Sequence, residues 1–468
     1  MERLLRTRAS AYLTLVAASA VLPITAMHFL TGDQPAPITG TQHLIVIAIT
    51  ATVAALASAA LIVSGYRQRD TRAVIAGGAF AVMSTLLFLH GIATPGVLFG
   101  PNGVVALAGG MSLPLGAALL TLAALPSLRG PRHLKTVTAG AVVFVCGVVI
   151  LGALGLVYAT EVPAVPAYES PEAIAFLTAG VIGFAIVAAR VVRTYVLTRR
   201  RSDLVVVVGI VWLALALIPT FVLTPFTWAW WMGHVLELVG IALVAVPVAL
   251  DTWRRQPSRP LVGDLPAADL VAQEEAFLGA RVAGLLDRLA EKDGSTEEHT
   301  RRVSAWAVSI GEEIGLTPAR LRDLALAGLL HDIGKLSTPD AILAKPGALS
   351  DDEMAVIREH PGAGDELLAE LGYPARVRKI VRGHHERLDG NGYPDGLRAQ
   401  QLDRETRILT VADVWDALVS PRVYRAAWTP ERAMGLLVEE TGVAFDRDCV
   451  LALQRVLARQ AGLVAEAA

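Results

Sequence analysis

Ten histidines occur in this 468-residue chain, and five of them lie beyond residue 298: His299, His331, His360 and the adjacent pair His384-His385. His331 is followed by Asp332 in Leu-Leu-His-Asp-Ile-Gly-Lys, so an apolar helix delivers an imidazole and a carboxylate side by side before Gly334 loosens the chain. A His-Asp pair arises easily by chance, and its specificity comes from company. His299 stands upstream on a helix, and Asp413 stands far downstream on another, in Leu-Thr-Val-Ala-Asp-Val-Trp-Asp-Ala-Leu. The only two cysteines, Cys146 and Cys449, can build neither a disulfide framework nor a thiolate zinc site. The chemistry on offer is nitrogen and oxygen ligation of divalent metal.

The order His299, His331-Asp332, Asp413 resembles the HD phosphohydrolase superfamily, which implies an all-helical fold with those four groups as metal ligands. His360, His384 and His385 go further and offer nitrogen for a second ion. Neighbouring helical residues point about 100° apart, so His384 and His385 approach a site from different sides, and Asp332 has two oxygens with which to bridge two ions. A binuclear centre of two divalent metals is expected, iron or manganese, with zinc, cobalt or nickel able to occupy it in vitro.

After the paired histidines comes Glu386-Arg387-Leu388-Asp389-Gly390-Asn391-Gly392-Tyr393-Pro394, and with Lys345-Pro346-Gly347, Asp416 and Phe445-Asp446 it makes His299 to Asp446 resemble the HD-GYP family. The resemblance implies a phosphodiesterase that opens cyclic di-GMP to linear pGpG, often going on to GMP. It casts Asp332 and Lys335 as catalytic, Lys335 neutralising charge on the transition state, and Lys335, Arg422, Arg425 and Tyr393 as substrate-binding. Asp416 and Asp446 are read as bracing groups rather than ligands. Some family members bind a third metal through a Glu four residues before the first His. Here that residue is Ser295, so two metals are expected.

The rest of the chain must hold this centre in place. A composition 54% hydrophobic and only 18% charged is unusual for a wholly soluble protein. Apolar stretches long enough to cross a bilayer run from about Ala9, His43, Ala73, Val104, Thr136, Ala173, Leu204 and Ala229, which makes about eight spans. Basic residues collect in alternate connections (Arg3 to Arg8, Arg67 to Arg72, Arg129 to Lys135, Arg199 to Arg201, Arg254-Arg255), whereas the connections between these contain no Lys or Arg. That alternation places both termini and the catalytic half in the cytoplasm of a bacterial inner membrane. His28, His43, His90 and His234 fall near the outer ends of the spans. They are read either as interfacial polar residues or as a sensor site holding metal or haem, with Glu237 one turn beyond His234.

The expected organisation is therefore all-α: a polytopic membrane domain (1–253), a juxtamembrane linker and connector helix (254–294) and an HD-GYP-like domain (295–468). Leu278, Val282, Leu285 and Leu289 recur at helical spacing between Ala268 and Lys292, either as a homodimer seam or as a face packed on the chain's own domain. Expected partners are cyclic di-GMP, the lipid bilayer and signalling proteins, with no nucleic-acid polymer. The alternative function is a non-catalytic receptor or adaptor. Such proteins usually lose ligands, and none of the seven is lost here.

Overall fold

The computed structural model describes residues 2–123, 125, 133–164, 167, 170–253, 265–293, 297–345, 347–421 and 426–465. The chain divides into two units, Met1–Asp264 and Leu265–Ala468, and every regular element described is helical.

The first unit contains α1 (Glu2–Thr31), α2 (Gly40–Gln68), α3 (Thr71–Ile92), α4 (Val104–Leu122), α5 (Leu134–Val157), α6 (Pro171–Thr198), α7 (Arg201–Val222) and α8 (Trp228–Trp253). All eight are long and apolar enough to cross a membrane, one for each apolar stretch of the sequence. Their ends carry ordinary stop and start signals. Thr39 and Gln42 close a capping box at the start of α2, Asp70 caps α3, and Ser170 caps α6 just before Pro171. Small residues let the helices approach: a Cβ on Gly77 would lie 2.6 Å from Ile62, and one on Gly209 would lie 2.7 Å from the Gly240 carbonyl. Phe80, Phe184, Leu213 and Leu217 fill the resulting core, whereas α5 has no buried residue.

The second unit contains α9 (Ala267–Ala276), α10 (Gly279–Asp293), α11 (Glu297–Ile314), α12 (Pro318–Leu330), a 3₁₀ turn (Ile333–Ser337), α13 (Asp340–Leu343), α14 (Asp351–Arg358), α15 (His360–Glu370), α16 (Ala375–Gly383), α17 (Arg404–Val419), α18 (Pro430–Glu439) and α19 (Arg447–Ala465). Helix α11 is central and packs on α9, α12, α17 and α19. Its crossing with α12 is close because Gly328 has no side chain. A Cβ there would lie 2.6 Å from the Ser304 Cα, and the Ser304 hydroxyl donates to the Ala325 carbonyl across the same contact.

The single connector helix expected over Ala268 to Lys292 is instead two helices, broken at Gly279, whose φ of +76° favours glycine. Both belong to the second unit. Leu278, Val282 and Leu289 are buried there against the chain's own domain, whereas Leu285 of the same face is half-buried. Helix α9 is tied down by ion pairs: the buried Glu274 receives Arg322 of α12 at 2.5 Å, and Glu275 receives Arg301 of α11 at 2.7 Å. Arg407 of α17 reaches the start of α19, donating to Asp446 at 2.8 Å, while the other Asp446 oxygen accepts the Asp448 and Cys449 amides.

Two outcomes follow for stability. Glu274→Ala leaves Arg322 buried without that carboxylate and should cost the second unit about 3–5 kcal/mol, read from its denaturant midpoint; a change within error would mean that α9 is a dispensable linker. Burial raises the Asp446 carboxyl, but Arg407 and the two amides outweigh it and hold the group below the usual carboxylate range. Its contribution, about 1–2 kcal/mol, is therefore present above the unfolded value of about 3.9 and disappears as pH falls through the lower folded value. The stability difference between wild type and Asp446→Asn should be full at neutral pH and vanish in strong acid.

Candidate metal centre

The centre forms where the ends of α12 and α16 and the starts of α11 and α15 meet the middle of α17. His331 and Asp332 leave the end of α12, His360 opens α15, His384 and His385 follow α16, and Asp413 lies on α17. Close backbone approach makes this possible. A Cβ on Gly334 would sit 1.9 Å from the His360 carbonyl oxygen, so only glycine lets the turn after Asp332 lie against the first residues of α15. Thr410 of α17 donates to the His384 carbonyl at 2.9 Å and fixes the far side.

Hydrogen bonds set the ring orientations. His331, His360 and His384 each donate from Nδ1 to the carbonyl three residues earlier, at 2.8, 2.7 and 2.6 Å to Gly328, Ile357 and Val381. A carbonyl can only accept, so Nδ1 carries the proton and each Nε2 presents a lone pair inward. His299 is oriented differently: its Nδ1 donates to Asp416 at 2.7 Å, and Arg302 grips the same carboxylate at 2.8 Å.

The inward atoms gather around Asp332. Its Oδ2 lies 3.3 Å from His331 Nε2, and its Oδ1 lies 3.3 Å from His360 Nε2. Asp413 Oδ1 lies 3.7 Å from His299 Nε2 and 3.8 Å from His331 Nε2, and the His360 and His384 Nε2 atoms are 3.4 Å apart. Donor atoms of Asp332, His360, His384 and His385 fall within 4.8 Å of one another, as do those of His299, His331 and Asp332, and those of His331, His384 and Asp413. All seven expected ligands are thus brought together.

The donor set fits divalent metal. Nε2 of His331 is fully buried without a hydrogen-bond partner, which a ligand atom explains. Burial, with neighbouring imidazoles, pushes His384 well below the usual histidine range, and burial pushes His385 down to about 4, so both are neutral, the ligating form, at pH 7. Burial also lowers His331, but the Asp332 and Asp413 carboxylates outweigh it and lift the group to about 9, a site calling for positive charge.

Around this centre, Lys335 donates to Asp332 at 2.9 Å and to Asp293, the last residue of α10, at 3.1 Å. The Tyr393 ring lies 4.7 Å from His385, with the Arg358 guanidinium 5.6 Å from its own centroid. Arg422, Arg425 and Ser295 lie outside the described residues. Glu298 is exposed and 3.7 Å from Arg302, away from the centre. Sequence reasoning missed three supports. Glu386 is buried and accepts the Asp395 and Leu397 amides at 2.7 and 2.9 Å, closing the loop that carries Tyr393; Arg302 fixes Asp416; Asp293 pairs with Lys335. Only Glu386, adjacent to the paired histidines, stood where local sequence pointed.

Asp416→Asn removes the carboxylate that orients His299. Metal affinity of the chain should fall about 10–100-fold in a competition titration with a chromophoric chelator while the helical circular dichroism is retained. An unchanged affinity would mean that His299 is not a ligand.

Residues 285–449 match the HD domain family. The chain is 44% identical over 178 residues to the cyclic di-GMP phosphodiesterase response regulator RpfG of Xanthomonas campestris, an alignment covering 36% of this chain and 47% of that protein. It is 38% identical over 179 residues to a cyclic di-GMP phosphodiesterase of Pseudomonas aeruginosa, covering 38% and 43%. It is 32% identical over 229 residues to the 3'3'-cGAMP-specific phosphodiesterase 3 of Vibrio cholerae, covering 49% and 50%. The chain spans about half the length of these curated relatives. Every ligand candidate of the centre lies within the residues, 285–449, that match the HD domain family.

Proposed function

We propose that the chain is a membrane-anchored, metal-dependent phosphodiesterase that hydrolyses cyclic di-GMP to linear pGpG and/or GMP at a centre of two divalent ions, iron or manganese. The observation that carries this reading is Asp332, whose two oxygens face separate imidazole sets, Oδ2 toward His331 and Oδ1 toward His360, each at 3.3 Å. One carboxylate facing imidazoles through both oxygens would suit two divalent ions held by these residues. His299 and His331 gather with Asp332 in one group and His360, His384 and His385 with it in another, while His384 also groups with His331 and Asp413. The relatives named for cyclic di-GMP and cGAMP support a cyclic dinucleotide as substrate.

Divalent ions at such a site supply Lewis acidity, which makes water nucleophilic near neutral pH and draws charge from a phosphoryl group. The chain's own residues do the rest. Lys335, part-exposed beside Asp332, holds a positive charge where negative charge develops on the phosphodiester. Burial lowers that ammonium, but Asp332 and Asp293 outweigh it and keep Lys335 protonated. Tyr393 offers a ring beside His385 against which substrate packs, and Arg422 and Arg425 are assigned to its phosphates by resemblance.

Anchoring rests on the eight apolar helices and on what they expose. Val143 and Leu151 of α5 are each 71% exposed, a surface suited to hydrocarbon rather than water. The alternating basic connections support a cytoplasmic catalytic unit.

The test is turnover by the full-length chain in detergent, loaded anaerobically with Fe²⁺ or Mn²⁺. Linear dinucleotide or GMP should appear with the wild type and not with Asp332→Ala, and Lys335→Met should lower kcat about 10²–10³-fold with metal content unchanged. Bound metal without turnover of either cyclic di-GMP or cGAMP would point instead to a nucleotide receptor.

A further inference from the structure

A second histidine cluster lies in the first unit. His43 opens α2, His90 ends α3 and His234 lies on α8, and all three are buried. Nε2 of His43 is 3.2 Å from Nε2 of His90 and 3.4 Å from Nε2 of His234. His28 does not join them; it is exposed, with its ring against Phe29.

The tautomers can be worked out. His90 Nδ1 lies 2.7 Å from the Val105 carbonyl, which only accepts, so Nδ1 holds the proton and Nε2 holds a lone pair. The Thr94 hydroxyl lies 2.9 Å from His43 Nδ1 and 3.2 Å from the His90 carbonyl, and its single proton can go to only one of them. With the proton on the carbonyl, His43 donates from Nδ1 and its Nε2 is a lone pair as well. Two lone pairs 3.2 Å apart repel unless a cation lies between them, and the third imidazole converges on the same point.

The surroundings are built for this arrangement. A Cβ on Gly109 would lie 2.6 Å from His90 Nδ1, so a glycine makes room for that ring. Trp230 and Trp231 pack on His234 at 4.2 and 5.0 Å and exclude water from one side. A cavity of about 410 Å³ adjoins all three histidines and is also lined by Ser112 and the buried Glu237, one turn along α8 from His234. That leaves room for a fourth ligand and supplies a carboxylate to balance the charge of an ion.

We propose that His43, His90 and His234 bind one borderline transition-metal ion, of the zinc or copper class, inside the eight-helix unit, with its remaining coordination position open to the adjoining cavity. Three imidazoles and no thiolate select ions of that class over calcium or magnesium. The site shares no residue with the HD-domain centre, so the phosphodiesterase reading can fail without affecting it.

The experiment uses the full-length chain in lipid nanodiscs, equilibrated with zinc and freed of loose metal. Zinc per chain is counted by mass spectrometry for wild type, His90→Gln and His234→Gln, all of which keep every cytoplasmic ligand. Each variant should hold about one zinc fewer than wild type. Equal zinc content in folded variants overturns the proposal and leaves a shared proton as the explanation of the close nitrogens. Should the variants misfold, cobalt is loaded into a His331→Ala, His360→Ala chain whose first unit is intact. An intense visible band of low-coordinate cobalt supports the site, and its absence overturns it.

Discussion

An imidazole ligates metal only through a nitrogen that carries no proton, and the second unit is organised around that requirement. His331, His360 and His384 each spend the Nδ1 proton on the carbonyl three residues back, and His299 spends it on Asp416. The first three bonds are local, because a histidine at or just past a helical turn finds that carbonyl within reach. The backbone of α12, the turn before α15 and α16 thereby fixes the tautomers, and the lone pairs must point where the elements meet. Everything else concerns bringing those elements close enough.

Closeness comes from missing side chains. Gly328 lets α12 cross α11 against Ser304, and Gly334 lets the turn after Asp332 lie on α15. Both flank the His331-Asp332 pair, one three residues before and one two residues after. Once packed, the centre is over-supplied with negative and lone-pair groups: the Asp332 and Asp413 carboxylates and five imidazoles surround one small volume, with Lys335 at its edge. Without a positive ion such a cluster of carboxylates and lone pairs is costly, which suits these residues to metal.

The first unit reverses the usual distribution. Its outside carries large apolar side chains and its polar groups turn inward, with His43, His90, His234 and Glu237 lining one cavity. In hydrocarbon a polar group must be satisfied within the protein, so inward polar clusters are expected and each needs a partner. What distinguishes the histidine cluster is that three imidazole Nε2 atoms converge beside that cavity.

The sequence by itself determined the element types and the chemistry: eight apolar stretches became eight helices, and His299, His331-Asp332, His360, His384-His385 and Asp413 became one cluster. These were legible because helical length, capping residues and ligand type are local properties. Tertiary structure decided what depends on distant partners. Nothing local says that Arg322 will meet Glu274, that Arg302 will hold Asp416, or that Asp293 will hold Lys335. Nor does a shared depth reveal which histidines converge: His28 resembled the other three in sequence, and only packing separated it, because rotation of α1 about its axis has no signature in composition. The connector shows the same limit. Its leucine spacing gives one continuous helix, whereas packing breaks it at Gly279 and sets α9 against α11 and α12.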